Sequence, residues 1–173
     1  QSEGAPGAEL RGEHAGAGTI HVKDTATSSE KTLTLTAANN IDINSPLTGT
    51  GTSALVLNSA TANGADSAVA GGMINIDSNI TTGGAQTYNG AVMLGADATL
   101  ASTGNGAIDF VSTVDGAYNL VVNTGGVTTF GGVVGGATAL TSLATDAAGS
   151  TTLGGDVSTT GAQTYNDAVT QIG

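Results

Sequence analysis

A unit of about 20 to 23 residues recurs along this chain, and so short a period leaves few folds open. A large side chain followed four positions later by Val occurs at Tyr88/Val92, Phe110/Val114, Phe130/Val134, Leu153/Val157 and Tyr165/Val169. The first four anchors stand 22, 20 and 23 residues apart, with a Leu following at Leu100, Leu120 and Leu140. The N-terminal half keeps the rhythm in other letters. Leu33-Thr-Leu35 and Leu55-Val-Leu57 are 22 apart, whereas Ile41-Asp-Ile43 and Ile74-Asn-Ile76 are 33 apart. The difference between these offsets predicts a loop insertion near 59–72, where the chain is made of Ala, Gly, Ser, Asn and Asp with one Val and one Thr. A longer echo overlies the short one. Gly84-Ala-Gln-Thr-Tyr-Asn89 returns unchanged as Gly161–Asn166, 77 residues later, which predicts equivalent packing positions for Tyr88 and Tyr165.

Within each unit, apolar residues alternate with Thr, Asn, Asp or Ser, as in Thr32-Leu-Thr-Leu-Thr36 and Leu55-Val-Leu-Asn58. Period two over four to six residues, broken by Gly or Asn, predicts short half-buried strands. Helix is disfavoured, because the 28 glycines interrupt every window in which apolar residues could line one helical face. Three short strands per unit, with tight corners, make a parallel β-helix, or β-solenoid, of about seven to eight turns. At roughly 4.8 Å per turn such a rod is on the order of 35 Å long. Residues 1–18, rich in Gly, Ala and Glu, read as an extended lead-in, and 19–173 as the solenoid.

The phrases Leu33-Thr-Leu-Thr-Ala-Ala-Asn-Asn-Ile41, Gly84-Ala-Gln-Thr-Tyr-Asn-Gly-Ala-Val92 and Val122-Asn-Thr-Gly-Gly-Val-Thr-Thr-Phe130 resemble the repeats of filamentous haemagglutinin-type proteins. The resemblance spans about residues 19–173. It implies a right-handed coil and a secreted or bacterial cell-surface location. It also implies a structural shaft that serves adhesion without catalysis. The secretion and activity domain that usually opens such proteins is not visible here.

Charge narrows the chemistry. Arg11, Lys23 and Lys31 are the only basic residues, and the net charge is −11. Beyond Lys31 there are nine Asp and no Lys, Arg, His or Glu. Phosphate backbones and anionic bilayers both need cations, so nucleic acid and membrane surfaces are poor partners. No apolar run approaches the roughly 20 residues of a membrane-spanning helix. The lack of Cys excludes thiolate metal sites and disulfides. Catalysis needs a group titrating near neutrality or an activated nucleophile. Asp109 and Asp115 form the nearest carboxylate pair, but six residues apart they are expected on different sides of a corner. A polysaccharide-active β-helix enzyme is therefore the weakest reading. The acidic residues read best as diffuse surface charge, with calcium as the one candidate cation because hard oxygen donors suit it. His14 and His21 are the only histidines. Thr-rich rows at Thr81/82, Thr128/129 and Thr151/152 raise an ice-binding face as a further alternative, weakened by their uneven spacing.

The expected function is thus that of an extracellular shaft, with no cofactor. Its partners would be other copies of itself, adjacent repeats of a longer chain, or surface or matrix carbohydrate. A self-assembling head-to-tail filament subunit is the main alternative. Candidate self-association residues are Ile20 and Val22 at one end and Tyr165, Val169 and Ile172 at the other. Asn63 and Asp66 are candidates for contact from the inserted loop.

Overall fold

The computed structural model describes residues 18–22, 26–29, 31–59 and 71–173. The described residues contain strands and turns and no helix. The first coil carries β1 (Ile20–Val22), β2 (Ala26–Ser29) and β3 (Thr32–Ala37). The second has β4 (Ile41–Ile43), β5 (Leu47–Thr50) and β6 (Ala54–Ser59). Next come β7 (Met73–Ile76), β8 (Ile80–Thr82) and β9 (Gln86–Asn89), then β10 (Ala91–Leu94), β11 (Ala98–Ser102) and β12 (Ile108–Phe110). The fifth coil holds β13 (Val114–Asp115), β14 (Asn119–Thr124) and β15 (Val127–Phe130). The last two hold β16 (Ser142–Thr145) and β17 (Ser150–Leu153), then β18 (Gln163–Tyr165) and β19 (Ala168–Gln171).

Each strand pairs in parallel with its counterpart one coil away, giving sheets ordered β1-β4-β7-β10-β13, β2-β5-β8-β11-β14-β16-β18 and β3-β6-β9-β12-β15-β17-β19. Single bridges from Val114 to Val134 and from Val134 to Val157 carry the first sheet on to the last coil. The protein is a three-faced parallel β-solenoid with seven rungs on each face. Six spacings of roughly 4.8 Å make it about 29 Å from first rung to last. This agrees with the coiling expected from the repeat. The expected lead-in and loop fall mostly on residues 1–17 and 60–70, outside the described residues.

The alternation seen in sequence becomes inward columns. On the first face Ile20, Ile41, Ile74, Val92, Val114, Val134 and Val157 stack in register. On the third face Leu35, Leu57, Tyr88, Phe110, Phe130, Leu153 and Gln171 do the same. The rings of Tyr88, Phe110 and Phe130 lie nearly parallel, with centroids 5.0 and 4.9 Å apart. The first four anchor-plus-Val pairs of the repeat each join the end region of a third-face strand to the start of the next coil's first face. Leu33/Leu55 and Ile41/Ile74 pair directly, so the 22- and 33-residue offsets are both true registers.

The fifth anchor breaks the pattern. Tyr165 pairs with Thr145 on the second face and Val169 with Thr151 on the third, so Tyr165 is not the equivalent of Tyr88. Seventy-seven residues is not a whole number of coils of 20 to 23 residues. The repeated hexapeptide therefore lands one face earlier. It keeps its local geometry there: Tyr88 Oη donates to Gln86 Oε1 at 2.6 Å, and Tyr165 Oη to Gln163 Oε1 at 3.3 Å.

Close stacking leaves no space for side chains at some corners. A Cβ on Gly149, whose φ is +80°, would run into the Gly126 carbonyl oxygen of the coil beside it.

Candidate functional site

Most described aspartates bond across to a neighbouring coil, which sequence reading as diffuse surface charge had missed. Asp42 accepts from His21 Nδ1 (2.8 Å) and Asn75 Nδ2 (2.6 Å). Asp77 accepts from Asn44 Nδ2 at 2.9 Å. The Asn119 backbone N–H (2.9 Å) and side-chain amide (3.0 Å) both donate to Asp97 and hold its carboxyl below the usual carboxylate range. Asp146 accepts from the Thr124 N–H at 3.2 Å. Asp115, expected to be solvated, is only 7% exposed, because the backbone N–H groups of Ala137 and Thr138 clamp it at 2.8 and 3.0 Å. The signal was present in the sequence: these partners lie 21 to 23 or 33 residues apart, like the members of the apolar columns. Asp109 and Asp115 stand on different faces, on β12 and β13. Among the described residues, no three His, Cys, Asp or Glu side chains gather where a metal ion could sit. His14 lies outside the described residues.

The threonine rows divide between inside and outside. Thr82, Thr128 and Thr151 are buried, and their neighbours Thr81, Thr129 and Thr152 face out. The outward third-face column reads Thr34, Val56, Thr87, Asp109, Thr129, Thr152 and Thr170. Val56 and Asp109 interrupt it, so the row is uneven along the rod as well as along the chain.

The candidate association residues lie in the first and seventh rungs of the described residues. Val22 is buried and Ile20 half-buried in the first rung. In the seventh rung Tyr165 is half-buried, Val169 is 43% exposed and Ile172 is 70% exposed. Val169 belongs to the column Leu33, Leu55, Gln86, Ile108, Thr128, Thr151, Val169. Partial burial pushes the Tyr165 phenol up. Asn63 and Asp66 fall outside the described residues.

One residue of this rung was not foreseen. Asp167, at the corner between β18 and β19, turns its carboxylate inward. It accepts from Thr145 Oγ1 at 3.0 Å and from Thr151 Oγ1 at 2.9 and 3.0 Å. In the other copy of the hexapeptide the matching residue is Gly90, where a Cβ would collide with the Ser59 hydroxyl. The seventh rung thus carries an inner row of apolar and polar side chains and an inward carboxylate. No family model matches the chain, and neither the curated proteins nor the solved structures yielded a match.

Proposed function

We propose that this chain is a load-bearing, right-handed β-helical shaft of a bacterial adhesin or surface filament, acting outside the cell. The observation that carries the reading is the run of seven rungs on three faces around an interior filled by side chains. In such a rod stability comes from contact between neighbouring rungs, so length can be added without a new core. Inter-coil brackets such as Asp97–Asn119 and the stacked rings tie each rung to the next across faces and corners. The resemblance of three phrases to filamentous haemagglutinin-type repeats supports the same reading and supplies the location and the handedness.

A shaft is tested by pulling. Stretched from its termini, the chain is expected to unravel in steps of about 20 residues, roughly 70 Å of contour each. Arrays of surface glycans and matrix proteins probed with the chain are expected to stay blank. Saturable capture of one glycan, or turnover of a polysaccharide, would replace the shaft with a binding or catalytic reading.

A further inference from the structure

We propose that the Asn105–Gly106 peptide is a site of spontaneous covalent modification, at which the main chain closes on the Asn105 carboxamide, and that Ser102 restrains the closure. The sequence holds three Asn-Gly pairs, at Asn63, Asn89 and Asn105. A glycine in second place has no Cβ to keep its nitrogen away from the carboxamide. Asn63 lies outside the described residues. The fold separates the other two. Asn89 is half-buried, pairs with Asn58 in the third-face ladder and donates from Nδ2 to Asn58 Oδ1 at 2.7 Å. Asn105 stands at the corner between β11 and β12, outside both strands. It is exposed, and among the described residues it is the one non-glycine with a positive φ, +63°. No hydrogen bond among the described residues holds its carboxamide. The peptide after it can therefore turn without opening a strand ladder.

The chemistry needs only water and hydroxide. Hydroxide removes the Gly106 amide proton, and the nitrogen electron pair forms a bond to Asn105 Cγ. The Cγ–Nδ2 bond breaks, and Nδ2 leaves as ammonia with a proton from water, which leaves a cyclic succinimide. Water then adds to one of the two ring carbonyls and breaks its bond to nitrogen. Attack at Cγ gives aspartate; attack at the main-chain carbonyl gives isoaspartate, in which the chain runs through Cβ and Cγ. Either product adds one negative charge to a chain of net charge −11. Ser102 Oγ accepts from the Gly106 N–H at 2.9 Å and so holds the proton that must leave. Ser102 is itself buried and anchored, donating to the Gly84 carbonyl at 2.8 Å. The isoaspartyl chain is longer at a corner with no slack. A Cβ on Gly104 would already meet the Gly83 carbonyl oxygen, and one on Gly106 the Ala85 nitrogen, both in the coil before. That product is expected to weaken the fourth coil.

The test is peptide mapping of the full 173-residue chain during incubation in warm, mildly alkaline buffer. Cleavage before aspartate puts Asn89 in peptide 77–96 and Asn105 in peptide 97–108. Mass spectrometry follows the exchange of amide for acid in each, and an isoaspartyl methyltransferase marks the isoaspartyl form. In the folded chain Asn105 is expected to convert about tenfold faster than Asn89 or more, because Asn89 reacts only when its ladder opens. In urea, with Gly-Ala following both, the two rates are expected to agree within about threefold. Ser102→Ala is expected to raise the Asn105 rate about two- to tenfold in the folded chain and to leave it unchanged in urea. Circular dichroism checks that this variant keeps its strand content; should it not, the two asparagines of the unaltered chain still decide. Equal rates in the folded chain, an Asn105 that converts only after unfolding, or a folded Ser102→Ala variant that converts no faster would each overturn the proposal. The isoaspartyl fraction is expected to unfold at lower urea than its parent, and an equal midpoint would overturn the expected weakening.

Discussion

Replacing Phe110 with alanine takes the middle ring out of the Tyr88–Phe110–Phe130 stack, halfway along the rod. The side chain is 1% exposed, so its loss opens a cavity that backbone ladders on either side prevent from collapsing. A buried Phe→Ala change costs about 3–5 kcal/mol, and each stacked ring pair adds about 0.5–1.5 kcal/mol beyond burial. The expected loss is therefore roughly 4–8 kcal/mol, a large share of the 5–15 kcal/mol typical of a folded domain. Because coupling in a solenoid runs only between neighbouring rungs, the damage also divides the molecule. Urea unfolding followed by circular dichroism is expected to show a lower midpoint and a shallower slope, as the two halves begin to melt separately. Phe110→Leu, which keeps most of the volume, serves as the mild comparison. Leu153→Ala, one rung from the end of its column and 7% exposed, is expected to cost about 2–3 kcal/mol with an unchanged slope. If Phe110→Ala costs less than about 2 kcal/mol, or no more than Leu153→Ala, the aromatic stack is not what couples the two halves.

Other expectations follow from single sites. Gly149→Ala forces a side chain onto a φ of +80° and against the Gly126 carbonyl, so a loss of at least about 2 kcal/mol is expected in the same urea assay. Gly136→Ala, whose added methyl meets the exposed Val133 side chain and no backbone, is expected to cost less. Burial pushes the Tyr88 phenol far above its ordinary range. The unfolded chain therefore releases a proton near pH 10 that the folded chain retains, and stability is expected to fall as pH rises beyond about 10. Tyr88→Phe, which also removes the hydrogen bond to Gln86, should flatten that alkaline limb in thermal melts between pH 8 and 11. Asp97 has the opposite sign. Its folded carboxyl is held below the unfolded value, so its contribution is present above about pH 4 and lost as pH falls through the folded value. Asp97→Asn is expected to flatten that limb of the urea midpoint between pH 5 and 2, and an unchanged limb would assign acid sensitivity elsewhere.

How far the candidate site was legible depends on what each residue's neighbours are. Val169 and Tyr165 could be marked from the repeat pattern, but their faces could not: Tyr165 stands on the second face and Val169 on the third. Asp167 could not be picked out from the other aspartates. Its meaning comes from Thr145 and Thr151, 22 and 16 residues away on two different faces. Asp115 and Asp97 were misjudged for the same reason: their partners are amides of the next coil, which composition and local pattern do not reveal.

The alternation in Thr32–Thr36, the anchor spacing from Tyr88 to Leu153 and the 22-residue offset of Leu33 and Leu55 determined strands, coil length and inward residues without any structure. These are local properties, because side chains alternate along a strand and a coil must close before the next begins. Which face a segment occupies is not local. Gly84–Asn89 and Gly161–Asn166 are the same six residues, yet one contributes to β9 on the third face and the other to β18 on the second. Only the accumulated length of every intervening corner decides that, and the three faces are alike enough to accept the same letters.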